Sequence, residues 1–198
     1  MGRKAGITRN DVAVAATKIA DRDGLKAATL TAVASELGIK TPSLYNHVDG
    51  LAGLKRVLAI HGAELLLSEF QAAVGETEGS QALRAIADAD RDFALKHPGL
   101  FESFLPAPRP GEDDELYDAI AQPVYFVAGI LLSMGIPQEE AIHLIRAMWA
   151  LLHGFLDLEA KGGFGMPVGI DASFDAAVEL MISGIEVVAA GAKERAAT

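Results

Sequence analysis

Apolar residues recur along this chain at spacings of three and four, and alternation at spacing two is rare, so the pattern is helical nearly throughout. Val12, Ala15, Ala16 and Ile19 make a first stripe. Thr8 precedes it as an N-cap, Asp11 stands at N3 as a capping-box variant, and Asp23-Gly24 ends it. Thr29 caps a short second helix that carries Leu30, Val33, Ala34 and Leu37 and stops at Gly38. Thr41-Pro42 starts a third, because proline suits the first helical turn; Leu44 and Val48 face inward there and Asp49-Gly50 closes it. A fourth helix runs from about Leu51 to Val74, with Leu54, Leu58, Leu65 and Leu66 inward.

Beyond Gly75 the segments lengthen. Helices are predicted at Ser80–Lys96, ended by His97-Pro98-Gly99, then at about Glu112–Met134, Pro137–Ala160 and Ser173–Ala190. Leu105–Gly111, with three prolines, and Lys161–Gly169, with four glycines and a proline, read as loops, and Ala192–Thr198 as a frayed tail. The expected fold class is all-α: a three-helix head over residues 1–50 and a helical-bundle body over residues 51–198.

Composition changes this picture little. Of 198 residues, 51% are hydrophobic and 22% charged, an ordinary globular balance with ample material for a core. There is no cysteine, which excludes disulfides, thiolate metal sites and cysteine nucleophiles. No strand precedes a glycine cluster, so the dinucleotide and P-loop phosphate fingerprints are absent, and no cofactor is expected. The start Met1-Gly2-Arg3-Lys4 is basic but leads into a polar segment, unlike a signal peptide. Ala119–Gln138 carries no formal charge, yet it holds Gln122, Pro123, Gly129, Ser133, Gly135 and Pro137 and reads as a core helix ending at Gly135. The expectation is a soluble cytoplasmic protein with no membrane partner.

Charge changes it more. The net charge of −10 argues at first against a nucleic-acid partner, but its distribution is uneven. Residues 1–56 hold nine Lys/Arg against five acids, and the remaining 142 hold eight against twenty-two. A basic head on an acidic body is what a local phosphate-binding surface looks like.

The head also holds the most informative spacing. Ala34 lies mid-helix, Gly38 follows four residues later and Leu44 six further on. A helix-turn-helix needs a small residue where its helices cross, a glycine where the turn leaves the helical region, and an apolar anchor on the second helix. Lys40, Thr41, Pro42, Ser43, Tyr45, Asn46 and His47 then face outward: donors, acceptors and an aromatic hydroxyl with no acid, which is the chemistry of a helix in the DNA major groove.

The segment Leu37-Gly38-Ile39-Lys40-Thr41-Pro42-Ser43-Leu44-Tyr45-Asn46-His47-Val48 resembles the recognition helix of the TetR family of transcriptional regulators. Further on, Trp149-Ala150-Leu151-Leu152-His153-Gly154 is similar to the Trp…His-Gly signature of one class of C-terminal domain in that family. The resemblance implies that Thr41, Pro42, Ser43 and Asn46 face base edges, with Lys40 at the helix start. Thr31, Tyr45, His47 and Lys55 then meet phosphates. The family's lysine at the start of the fourth helix is replaced by Leu51, and either Lys55 or the helix N-terminus alone supplies that contact. Arg3 and Lys4 are either a minor-groove arm or a disordered basic terminus.

For the body, the resemblance implies an effector site and a homodimer through the helices at about 137–160 and 173–190. Phe174, Ala177, Val178, Leu180, Met181, Ile185, Val188 and Ala189 nearly encircle the last helix, more than one core requires, and Ile142, Ile145, Leu152, Phe155 and Leu156 do the same on the one before. The effector pocket is expected among Phe70, Phe93, Phe101, Phe104, Tyr117, Tyr125, Phe126 and Trp149, and its ligand to be small and mostly apolar. Asp88, Asp90 and Asp92 read as a solvated face. The expected function is a repressor that binds a palindromic operator as a homodimer and is released by such a ligand. The rival class is a small all-α enzyme or metal protein using His61/Glu64 or His153/Asp157, and a third is a purely architectural DNA-binding module.

Overall fold

The computed structural model describes residues 6–103, 108–109 and 111–196. Among them every regular element is helical. The helices are α1 (Arg9–Asp23), α2 (Leu30–Glu36), α3 (Thr41–Leu44), α4 (Gly50–Val74), α5 (Gly79–Lys96), α6 (Pro98–Ser103), α7 (Asp114–Ser133), α8 (Gln138–Ala160) and α9 (Ile170–Ala196), with a 3₁₀ turn at Leu25–Ala27. The chain divides into two compact units, Met1–Leu66 with Lys96–Gln122, and Leu67–Leu95 with Pro123–Thr198. The compact units follow packing, which groups residues 96–122 with the N-terminal helices and does not break the chain at residue 50.

In the first unit, Thr8 Oγ1 accepts the Asp11 amide at 3.2 Å and the Asp11 carboxylate accepts the Thr8 amide at 2.8 Å, so α1 opens on the reciprocal cap. The Thr8 amide and hydroxyl, each donating to Asp11 Oδ2 at 2.8 Å, hold the Asp11 carboxyl below the usual carboxylate range. Val12, Ala13, Ala15, Ala16, Ile19 and Ala20 bury the inner face of α1. Helix α6 was not predicted: His97-Pro98-Gly99 ends α5 and at once starts another helix. The Asp21 carboxylate makes this possible, accepting the amides of Gly99 and Leu100 at 3.1 and 3.0 Å and meeting His97 Nδ1 at 2.7 Å. Gly99 is required at this crossing, because a Cβ there would lie 2.1 Å from the Ala20 carbonyl oxygen.

Helix α7 starts at Asp114 rather than Glu112, because Asp113 caps it by accepting the Leu116 amide at 3.1 Å. Arg56 of α4 grips Asp113 through two hydrogen bonds and Glu115 at 2.7 Å, and Arg9 of α1 meets Glu115 at 3.2 Å. The Arg56 guanidinium, helped by the Leu116 amide, holds the Asp113 carboxyl down at about 2.

In the second unit, α8 and α9 pack together, burying Ala141, Ile145, Met148, Leu152 and Leu156 on one and Phe174, Val178, Ile182, Ile185, Ala189 and Ala192 on the other. Arg91 of α5 reaches Glu159 at 2.5 Å and Asp171 at 2.8 Å, and its guanidinium lies 4.7 Å from the centre of the Phe174 ring. Helix α9 outruns its predicted span at both ends. Its last turns are ordered to Ala196, with Ala192 buried and Arg195 paired to Glu140 at 3.2 Å, so the frayed tail is corrected over those residues. Helices α4, α7 and α8 are long and apolar enough to cross a membrane by length and composition.

Asp90 corrects a second expectation. Asp88 is half-buried beside Arg84 and Asp92 is exposed, but Asp90 is 1% exposed and turns inward on the stripe of Leu83, Ile86, Ala87 and Phe93. Among the described residues neither of its oxygens has a hydrogen-bond partner, and burial pushes its carboxyl up to about 7. An unfolded aspartate titrates near about 3.9. Between the two values folding takes up a proton, so the wild-type chain loses stability as pH rises, and the loss levels off above the folded value. We expect the stability of Asp90→Asn relative to wild type to improve by on the order of 2 kcal/mol between about pH 5 and about pH 7.5 in urea melts. A difference that does not change with pH would show that this carboxyl is solvated.

Candidate nucleic-acid interface

The turn between α2 and α3 is closed by backbone bonds. The Ile39 amide reaches back to the Ala34 carbonyl at 2.9 Å, and Gly38 supplies the reversal at φ +67°. Thr29 Oγ1 caps α2 by accepting the Ala32 amide at 3.2 Å. Val33, Ala34, Leu44 and Val48 are buried, as the spacing requires. Helix α3 is shorter than predicted. It holds only Thr41–Leu44, and Tyr45–His47 continue as turn, with the His47 and Val48 amides both bonded to the Leu44 carbonyl at 2.8 and 3.0 Å. The bonds tighten there because Val48 must reach the core within one turn of Leu44.

Around these anchors the proposed contact residues all reach the surface. Thr31, Lys40, Pro42, Ser43, Tyr45, Asn46 and Lys55 are exposed, and Thr41 and His47 half-exposed. Leu51, where the family's lysine is missing, is exposed on the first turn of α4, and Lys55 lies one turn on. Among the described residues Lys40 and Lys55 make no ion pair, whereas Arg9, Arg22 and Arg56 are engaged by carboxylates. Sequence reasoning missed that Arg9 and Arg56 are engaged, because their partners Asp113 and Glu115 lie far along the chain. Arg3 and Lys4 lie outside the described residues.

The second unit holds a small cavity, with free space for about one water molecule, lined by Phe70, Ile86, Asp90, Val127, Met148, Trp149 and Leu152. Of the aromatic residues expected at an effector pocket, Phe70 and Trp149 line it. Phe93 is buried nearby on α5, Phe126 is half-buried, and Tyr125 is 55% exposed on the surface. Phe101 and Tyr117 belong to the first unit, and Phe104 lies outside the described residues.

The residues of the rival reading are placed as follows. His61 and Glu64 line an open groove with Arg9, Asn10, Ala13, Val57, Ile60 and Glu115, and burial lowers the His61 imidazole. His153 is half-buried and pushed down to about 4 by desolvation, while Asp157 pairs with Lys161 at 2.6 Å. Among the described residues no group of three or more potential metal ligands converges.

Residues 83–181 match the family model described as the tetracyclin repressor-like C-terminal domain. The HTH-type transcriptional regulator YobS of Bacillus subtilis is 32% identical over 186 residues, covering 93% of this chain and 96% of that protein. Two solved structures share the fold. A variant of TetR from Acinetobacter baumannii AYE in complex with minocycline matches with TM-score 0.70 at 21% identity, over 92% of this chain and 98% of that one. BioQ with its double-stranded DNA operator matches with TM-score 0.68 at 20% identity, over 91% and 99%. With its helix-turn-helix, its all-helical body and these matches, the chain belongs to the TetR family of helix-turn-helix transcriptional regulators.

Proposed function

We propose that this regulator is a repressor that binds a palindromic operator as a homodimer and leaves it when a small, mostly apolar ligand binds. Residues 1–50 read DNA in this scheme, and residues 51–198 bind the effector and dimerise. The observation that carries the DNA reading is the acid-free surface from Lys40 to His47, held outward by the buried pair Leu44 and Val48. Thr41, Pro42, Ser43 and Asn46 are assigned to base edges, and Thr31, Tyr45, His47 and Lys55 to phosphates. The solved BioQ complex supports the same use of the fold.

For the dimer, the support is an apolar face that the chain leaves uncovered. Leu180 and Val187 are each 73% exposed on α9, among the small residues Ala176, Ser183, Gly184 and Ala190. Exposed Ala147, Ala150, Gly154 and Leu158 give α8 a similar face. Small residues let partner helices approach closely, as a four-helix interface requires. Ile185 and Val178, placed at that interface by the sequence, instead fill the core of their own chain.

The ligand reading rests on the cavity at Phe70 and Trp149. Release follows if the ligand prefers the state whose recognition helices are not about 34 Å apart, one turn of DNA. The chain has no catalytic role in this scheme, acts in the cytoplasm and needs neither cofactor nor membrane.

Lys55→Ala is expected to weaken binding to every DNA sequence and to reduce the slope of log affinity against log salt by about one. Asn46→Ala or Thr41→Ala instead costs about 1–3 kcal/mol on the preferred site and relaxes selection at one position of each half-site. Uniform loss on all sequences for both substitutions would remove the base-reading assignment. Leu180→Glu should give monomers in sedimentation, since a buried unpaired charge costs several kcal/mol at an interface; a variant that stays dimeric puts the interface elsewhere. An inducer found by screening should bind about 5–150-fold more weakly when operator is present. Equal affinities would exclude release by ligand, and tighter binding would make it a co-repressor.

A further inference from the structure

The second unit spends a carboxylate where packing alone would place a hydrocarbon. Asp90 lies on the buried stripe of α5, two turns from Leu83 and one from Ile86. Both of its oxygens are shielded from water and find no donor among the described residues. An acid left in that state costs several kcal/mol, so a purely structural role is served better by Leu or Met. The cavity that Asp90 lines supplies what a ligand needs. Phe70 from α4, Ile86 from α5, Val127 from α7 and Leu152 from α8 make apolar walls. Trp149 contributes an aromatic ring and is only partly buried. These four helices bring no second charged or titratable side chain to the cavity lining.

We infer that the effector of this regulator is a small organic cation, a primary or secondary amine on an apolar or aromatic body, whose ammonium is held by Asp90 against the ring of Trp149. The inference rests on the reading of this cavity as the effector site. An ammonium supplies N–H donors to both carboxylate oxygens and a charge that offsets the cost of ionising Asp90 in an apolar wall. The Trp149 ring attracts the same cation through its negative face. The free space now holds about one water molecule, so the ligand body enters by displacing a side chain. Met148, unbranched and buried in the wall, is the side chain best able to move. In its resting form the buried carboxyl keeps its proton below about pH 7, and there a cation that replaces that proton expels it to solvent.

Trp149 is the only tryptophan, so its fluorescence reports on the cavity directly in the full-length protein. The probes are 2-phenylethylamine, the matched alcohol 2-phenylethanol and the matched acid 3-phenylpropionate. In wild type the amine should bind about tenfold or more tightly than the alcohol, and the acid most weakly. Calorimetry near about pH 6 in buffers of different ionisation enthalpy should show close to one proton released per amine bound and none per alcohol. In Asp90→Asn the preference for the amine should vanish while alcohol affinity holds within about twofold. The wild-type comparison and the proton count stand even if the variant does not fold. An alcohol that binds as well as the amine, or a preference that survives Asp90→Asn, overturns the cation and leaves the effector site in place. If no probe perturbs Trp149 or raises the melting temperature, both the cation and the site reading fall.

Discussion

The surface proposed to read DNA depends on the burial of two side chains. Helix α3 is one turn long, far below the roughly 12–15 residues at which a helix becomes stable alone. Its conformation is therefore set by packing. Leu44 is fully buried and Val48 nearly so, each burial worth about 1.5–3 kcal/mol. Because Leu44 fixes the rotation of α3 about its axis, it also fixes which side chains face away. Lys40, Pro42, Ser43, Tyr45 and Asn46 are on the surface as a consequence. Ala34 and Gly38 serve the same end by letting α2 and α3 approach and by closing the turn with the Ile39-to-Ala34 bond.

The charges of the first unit are arranged around this surface rather than on it. Counting residues makes the head basic, but three of its arginines are engaged by acids, two of them by Asp113 and Glu115 from beyond residue 110. Those pairs join α1 and α4 to the start of α7. Arginine suits that task because its planar fork meets two carboxylates at once, as Arg56 does. Lys40 and Lys55, which make no ion pair among the described residues, remain at the helix-turn-helix, and a lysine there is a point charge well suited to a phosphate.

Much of this was legible in the sequence, and the failures have physical causes. Caps and turns act over three or four residues, so Thr8, Thr29, Gly38 and Thr41-Pro42 announced their helices correctly. The short α3 was overextended because Leu44 and Val48 fit a helical period equally well when a tighter turn joins them. Helix α6 went unseen because its first amides are satisfied by Asp21, 78 and 79 positions away. The C-terminal end of α9 is set by Ala192, which is buried, and Arg195, which pairs with Glu140 55 positions earlier. Asp90 was legible and was misread. Its grouping with Asp88 and Asp92 follows a period of two, whereas a helix groups it with Leu83 and Ile86.

The discontinuity of the first unit bears on how the chain is made. The N-terminal helices emerge first from the ribosome, yet the crossing at Gly99, the carboxylate bonds of Asp21 and the grip of Arg56 on Asp113 all need chain synthesised later. The unit closes only after Gln122 has appeared, and by then residues 67–95, the end of α4 and nearly all of α5, have been synthesised between its two stretches of sequence. At about 5–20 residues per second the head waits several seconds in an unfinished state. A fragment cut at residue 50 keeps the motif and loses the scaffold that encloses it.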